Sequence, residues 1–395
     1  MTPNTVLESP LLGEFSPLDE RQKRVIERVS RAERAGILAL PSDDALDPKR
    51  RRRVDATRGE MFGQPEAIRE TWRRNETELA TVAAHVARSQ FDRVFLVGAG
   101  DSFAVMIAAR RLFEFMLETP CEPIQSLEFA YYSRHLVSAR SLVIALSSSG
   151  ETTRTVEAVL VAQHAKAMTI AVTNTVGSTL DDESEQTLLI QATRVGWPTQ
   201  SSTAALALLF RLAADVGVLR AVPGADKLAQ EVSTLPTLID RVLQDNDEPI
   251  ADISRTEVDR SMYLFSAGGP TWGAAIVGAA KVKETTPDHA VEIQVEEYHH
   301  YNSQKPNEPL FVFAPSGPSL PRAVDTGRDA RRYGGQLYAF TTVGEHAFDD
   351  HANRVFELPH VSELLSPMLY MIPAQLVGYH LGIAKFMRAE EQLNG

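Results

Sequence analysis

Apolar, β-branched runs alternate with amphipathic stretches along most of this chain, and the strongest runs end in glycine or serine turns. Val94–Ser102 reads VFLVGAGDS and Leu142–Thr152 reads LVIALSSSGET; Tyr263–Thr271 (YLFSAGGPT) and Leu310–Ser319 (LFVFAPSGPS) repeat the arrangement. A run with no polar alternation is the mark of a strand covered on both faces, and a small-residue turn after it feeds a helix in a parallel sheet. The repeat of about 165 residues is too long for a solenoid unit and predicts two copies of one α/β domain.

The same reading predicts strands at Phe91–Val97, Leu142–Leu146, Met168–Thr173 and Leu188–Gln191, then Tyr263–Ser266, Phe311–Ala314 and Leu337–Thr341. Helices are expected at Leu18–Ala35, from Glu60 to Arg88 with Pro65 in a first turn, and at Ser102–Glu118, Thr152–Lys166 and Ser202–Val216. A charged helix at Lys227–Asp245 crosses to the second copy, where Thr271–Thr285, Arg322–Tyr333 and Pro367–Arg388 follow. The expected organisation is an N-terminal extension over 1–55, a first domain over 56–240 and a second over 241–395. Parallel sheets sandwiched by helices place ligand sites at the carboxyl ends of their strands.

Composition narrows the class. At 395 residues and 44% hydrophobic content, two full cores are affordable, and a net charge of −12 with pI near 5.4 argues against nucleic acid or an anionic membrane as partner. Cys121 alone forms neither an internal disulfide nor a cysteine zinc cluster. The opening MTPNTVLESPLLGEF lacks a signal-peptide pattern, and no uncharged stretch reaches the roughly 18 residues of a membrane span, so a soluble, cytoplasmic protein is expected. The basic run Lys49–Arg53 reads as a solvated connector or a charged helix start, with a phosphate or nucleic-acid patch as the alternative. GAGDS is not a dinucleotide fingerprint, because Phe103 stands at the last glycine. No histidine–carboxylate spacing suits a metal, so neither metal nor cofactor is expected.

Only the first copy carries the hydroxyl-rich turn Ser147-Ser148-Ser149-Gly150-Glu151-Thr152. A helix that starts there leaves backbone N–H groups unpaired and carries a positive partial charge. Ser147, Ser149 and Thr152 add hydroxyl donors, Gly150 would admit a ligand close to the backbone, and Ser102 with Gly100 comes from the neighbouring strand end. Such an end holds a phosphate monoester without a lysine or metal, and it reads equally as a serine-built N-cap and turn.

These strings do not stand alone. With Glu60-Met61, Gln64-Pro65, Gly100-Asp101-Ser102, Asn174–Ser178, Ala280–Glu284, Gly334–Tyr338 and Pro373–Leu376, they make the chain resemble the sugar isomerase (SIS) superfamily. Within it the chain is most similar to the isomerase half of glutamine–fructose-6-phosphate aminotransferases, over some 330 residues. The resemblance implies two SIS domains, each a five-stranded parallel sheet between helices, and a homodimer with a shared active site. It implies that Ser102, Ser147, Ser148, Ser149 and Thr152 hold a sugar 6-phosphate, with Gly100 and Gly150 beside it. Ser148 stands where the family often has glutamine.

Moving a carbonyl between adjacent sugar carbons requires ring opening, proton transfer and stabilisation of an oxyanion. Lys281 and Glu284 share a helix face, and His300 follows Glu284 by 16 residues. On spacing alone they read as a surface ion pair and a loop histidine. The resemblance instead makes Glu284 the base, His300 of the partner subunit the ring-opening group, and Lys281 the charge stabiliser, leaving His299, His289, Glu296 and Glu297 as structural alternates. Departures from the family are the absence of a glutaminase domain and of the tail lysine, with Lys385 a poor substitute, and Tyr301-Asn302 where Gly-Pro is usual. The expectation is therefore an amino-sugar 6-phosphate deaminase or isomerase, or a fructosamine 6-phosphate deglycase. The alternative is a non-catalytic sugar-phosphate sensor.

Overall fold

The computed structural model describes residues 16–38, 40–42, 44–301 and 304–394. Four helices come first: α1 (Glu20–Leu38), α2 (Pro48–Phe62), α3 (Gln64–Arg74) and α4 (Glu76–Arg88). The single helical stretch expected from Glu60 to Arg88 is broken at Gly63 and Asn75, which cap successive helices. The first α/β unit then runs β1 (Arg93–Gly98), α5 (Asp101–Leu117), β2 (Cys121–Gln125), a turn α6 (Ser126–Glu128), β3 (Ser141–Leu146) and α7 (Thr153–His164). It continues through β4 (Met168–Thr173), α8 (Thr179–Glu183), β5 (Gln186–Leu189) and α9 (Gln200–Leu219). Helix α10 (Ala225–Thr256) leads into the second unit. This comprises β6 (Met262–Ala267), α11 (Trp272–Thr285), β7 (His289–Gln294), β8 (Pro309–Ala314), α12 (Leu320–Arg332), β9 (Gln336–Thr342), β10 (Arg354–Leu358) and α13 (Ser366–Asn394).

Both sheets are five-stranded and all-parallel, ordered β2-β1-β3-β4-β5 and β10-β9-β8-β6-β7. Written by order within each unit, the two topologies are identical, so the repeat seen in the sequence is a repeat of fold. The central strands β1, β3 and β8 are buried almost throughout, as their unbroken apolar runs require. The strands not expected from the pattern, β2, β7 and β10, all lie at sheet edges.

One apolar core joins α9, α10, α11 and α13 to faces of both sheets, so the two units pack as one body. Helix α9 is long and apolar enough to cross a bilayer by composition, but it is buried inside this core. A second core under the other face of the first sheet takes Leu18, Ile26 and Val29 from the α1 segment, which ties the N-terminal extension to α7.

Candidate active site

Strand β3 ends at Leu146, and the chain turns through Ser147–Thr152 into α7. The Ser147 hydroxyl organises this turn: it accepts from the Gly150 N–H at 3.1 Å and shares hydrogen bonds with Thr152 Oγ1 at 2.9 Å and Ser149 Oγ at 3.4 Å. Gly150 has φ +67°, and a Cβ there would lie 2.0 Å from Ser178 Oγ. The glycine is therefore required by the neighbouring Ser178 loop, whatever occupies the cavity. Part of the donor set at the start of α7 is also committed internally, since the Thr153 N–H and hydroxyl both donate to Glu33 of α1. Ser148 Oγ is buried without a hydrogen-bond partner, unlike its neighbours.

A cavity of about 210 Å³ opens beside this turn. Ser102, Ser148, Ser149 and Thr152 line it from the first sheet's strand ends, and Ser201 and Ser202 from the start of α9. Ser147 sits just behind, 2% exposed, and acts through Thr152 and Ser149. Gly100, at φ +58°, shapes the β1 loop, with no atom within 4 Å of where a Cβ would stand.

Glu284 lines the same cavity, although its helix belongs to the second unit. Helix α11 packs on α5 and against α13, where Gly378 allows the close approach: a Cβ there would meet Lys281 Cβ at 2.5 Å. Lys281 is consequently sealed in, with its side chain 2% exposed, and is not the surface residue its spacing allows. Its ammonium donates to Asp101 Oδ2 and Glu284 Oε2, both at 2.6 Å, so one cation ties the start of α5 to the end of α11. Burial pushes its pKa down, but Asp101 and Glu284 outweigh burial and hold Lys281 above its ordinary value. Burial, aided by Asp101 and opposed by Lys281, pushes the Glu284 carboxyl up to about 7. A carboxyl poised there suits proton transfer near neutral pH.

The histidines separate clearly. His299 is held by Asp329 and Thr326, each at 3.0 Å, a structural arrangement. His300 is 59% exposed, lies 3.4 Å from Glu296, and does not line the cavity of its own chain. Tyr301 is exposed, while Asn302 falls outside the described residues. No cluster of three or more His, Cys, Asp or Glu fit to hold a metal occurs among the described residues.

Several site residues escaped the sequence reading. Asp101 entered only as part of a matching string, Ser202 only as the start of a predicted helix, and Arg194 and Ser201 not at all. The rule that ligands bind at carboxyl ends of strands would have pointed to the segment after β5. The basic run opens α2, as a charged helix start, but it is not simply solvated. Arg50 is buried and donates to the Glu284 and Thr286 carbonyls at 2.8 and 3.0 Å, capping the end of α11. Arg53 stacks on Trp197 at 3.7 Å and donates to the Gly196 carbonyl at 3.1 Å. Nothing local signals these contacts, because their partners lie more than 140 residues away.

Sequence comparison matches residues 89–213, most of the first unit, to the SIS domain. Curated relatives extend the likeness over most of the chain's length. The chain is 27% identical to the glutamine–fructose-6-phosphate aminotransferase (isomerizing) of Thermococcus kodakarensis over 333 residues, covering 82% of this chain and 54% of that protein. The chain thus spans about half the length of the curated relatives it matches. Its fold superposes on the C-terminal domain of glucosamine-fructose-6-phosphate aminotransferase from Francisella tularensis with TM-score 0.72 at 23% identity, over 82% of this chain and 95% of that one. A glucosamine-6-phosphate deaminase from Thermotoga maritima matches with TM-score 0.62 at 20% identity, over 83% and 94% of the two chains.

Proposed function

We propose that this chain is a phosphosugar enzyme that moves a proton between C1 and C2 of an amine-bearing hexose 6-phosphate, with loss of the amine. The observation that carries this reading is Glu284 in one cavity with the Ser102/Ser149/Thr152 hydroxyls, its carboxyl pushed up to about 7. The cradle hydroxyls bind the 6-phosphate, and the remaining length of the sugar reaches toward Glu284. The carboxylate takes the proton from the carbon beside the carbonyl or imine and returns it to the adjacent carbon. Water then adds across the resulting C=N bond, so one water is consumed for each ammonia or amine released. Lys281 holds Glu284 in place and offsets the charge that develops nearby. His300, exposed on its own chain, opens the sugar ring of a second copy in a homodimer with shared sites.

Purified protein is incubated with glucosamine 6-phosphate and, separately, with fructosamine 6-phosphate adducts of several amino acids, and ammonia, free amino acid and hexose phosphate are measured. Release of either amine supports the proposal and tells deaminase from deglycase. Binding of these sugars, seen as a raised melting temperature, with no turnover of any would overturn it in favour of a sensor. Because the base acts ionised, kcat/KM should rise with pH through about 7.

A further inference from the structure

We propose that Asp101 is a second catalytic residue of this cavity: it moves a proton between the amine nitrogen and the sugar oxygen while Glu284 moves the one between carbons. This rests on the reading above that the cavity turns over an amine-bearing sugar 6-phosphate. Asp101 and Glu284 come from different units, and they are the two carboxylates in the cavity lining among the described residues. Each commits one oxygen to the Lys281 ammonium, Asp101 Oδ2 and Glu284 Oε2, both at 2.6 Å. The second oxygen of each makes no hydrogen bond among the described residues, and the side chains are 14% and 26% exposed. Nor is Asp101 spent on capping α5. The N–H groups of Ser102, Phe103 and Ala104 donate instead to the carbonyls of Ala99 and Gly100.

The chemistry calls for two proton carriers. Turning a C=O beside a C–N bond into a C=N beside a C–O bond moves two protons and no electrons overall. One proton leaves a carbon and returns to its neighbour. The other leaves the nitrogen as the C=N bond forms and ends on the oxygen as the C=O bond is lost. A carboxylate holding the carbon-bound proton is occupied while the second one must travel. Arg194, the remaining charged side chain in the lining, does not give up its proton. Lys281 is sealed behind the cavity at 2% side-chain exposure, and with both carboxylates holding it protonated it fixes them side by side. Reacting carbons and their heteroatoms are likewise neighbours on C1 and C2. Asp101 takes the nitrogen-bound proton and releases it to the oxygen on the adjacent carbon, after which water hydrolyses the C=N bond.

The test compares release of the amine with exchange of the carbon-bound proton in D₂O, read by proton NMR. Glucosamine 6-phosphate and the glycine adduct of fructosamine 6-phosphate are each given to the unaltered protein, Asp101→Asn and Asp101→Glu. Asp101→Asn keeps an acceptor for Lys281, so release should fall by about 10²-fold or more while carbon exchange stays within about tenfold. Asp101→Glu should recover part of the release, and Asp101→Ser should repeat the split if the amide variant does not fold. Equal loss of exchange and release in Asp101→Asn and Asp101→Ser would overturn the inference, because Asp101 would then only position Lys281 and Glu284. Undiminished release would overturn it too. Either result leaves the sugar-phosphate reading standing on the turnover of the unaltered protein. Absence of both exchange and release in the unaltered protein would sink both.

Discussion

The two units share one topology, but their central strand ends are built oppositely. In the first, the loops after β1 and β3 carry serines and a threonine around an open cavity. In the second, the matching loops are Gly268–Thr271 after β6 and Pro315–Ser319 after β8, and a carboxylate from their own chain sits on them. A Cβ on Gly317 would lie 2.6 Å from the Glu363 carboxyl carbon, and one on Gly269 would lie 3.4 Å from its Oε1. Glu363 comes from the segment after the last strand, β10; in the first unit the segment after β5 supplies Arg194 instead. The matching strand ends of the two units therefore differ in what covers them. One is covered by a side chain of its own unit and the other opens on the cavity. The second unit reaches that cavity through α11, which places Glu284 in its lining.

The substitution with the largest expected effect breaks that delivery. Glu284→Gln should lower kcat by about 10²–10⁴-fold in the product assay while sugar-phosphate binding persists. Next is Lys281→Met, which leaves Asp101 and Glu284 facing each other without the buried cation that neutralises them. Removing one partner of such a network costs on the order of 3–5 kcal/mol, so the midpoint of chemical denaturation should fall clearly. Thr152→Ala with Ser149→Ala strips two hydroxyls from the open cradle. At about 1.5–3 kcal/mol per hydrogen bond to a charged group, KM should rise by tenfold or more with a smaller change in kcat.

The smallest effect is expected in the second unit. Burial raises the Glu363 carboxyl above its ordinary value, so its ionised form is disfavoured in the fold and stability is lost as pH rises through its folded value. Glu363→Gln should therefore leave kcat/KM within about twofold and, at neutral pH, hold or slightly raise Tm. A large loss of activity would mean that the two strand ends are not the contrasting pair described.

How much of this was written in the sequence follows the same division. Central strands announce themselves, because burial on both faces leaves no polar alternation, and SSSGET marks the open cradle by composition alone. The edge strands β2, β7 and β10 did not, since CEPIQ, HAVEIQ and RVFEL mix polar and apolar residues at positions only partly covered. The Lys281–Glu284 pair was visible as a spacing, but its burial depends on Gly378 and its third partner on Asp101, both far away in sequence. Arg50 and Arg53 were read from charge as a helix start, and only tertiary contact reveals a buried cap on α11 and a cation stacked on Trp197.

The most direct test of the central claim, that Glu284 of the second unit moves a carbon-bound proton of a sugar held in the first unit's cradle, is solvent deuterium exchange followed by proton NMR. Glucosamine 6-phosphate or a fructosamine 6-phosphate adduct is incubated in D₂O with the unaltered protein or with Glu284→Gln. The account predicts loss of the proton signal at the carbon beside the carbonyl with the unaltered protein, and none above the enzyme-free rate with Glu284→Gln. Exchange at an undiminished rate in Glu284→Gln would contradict it.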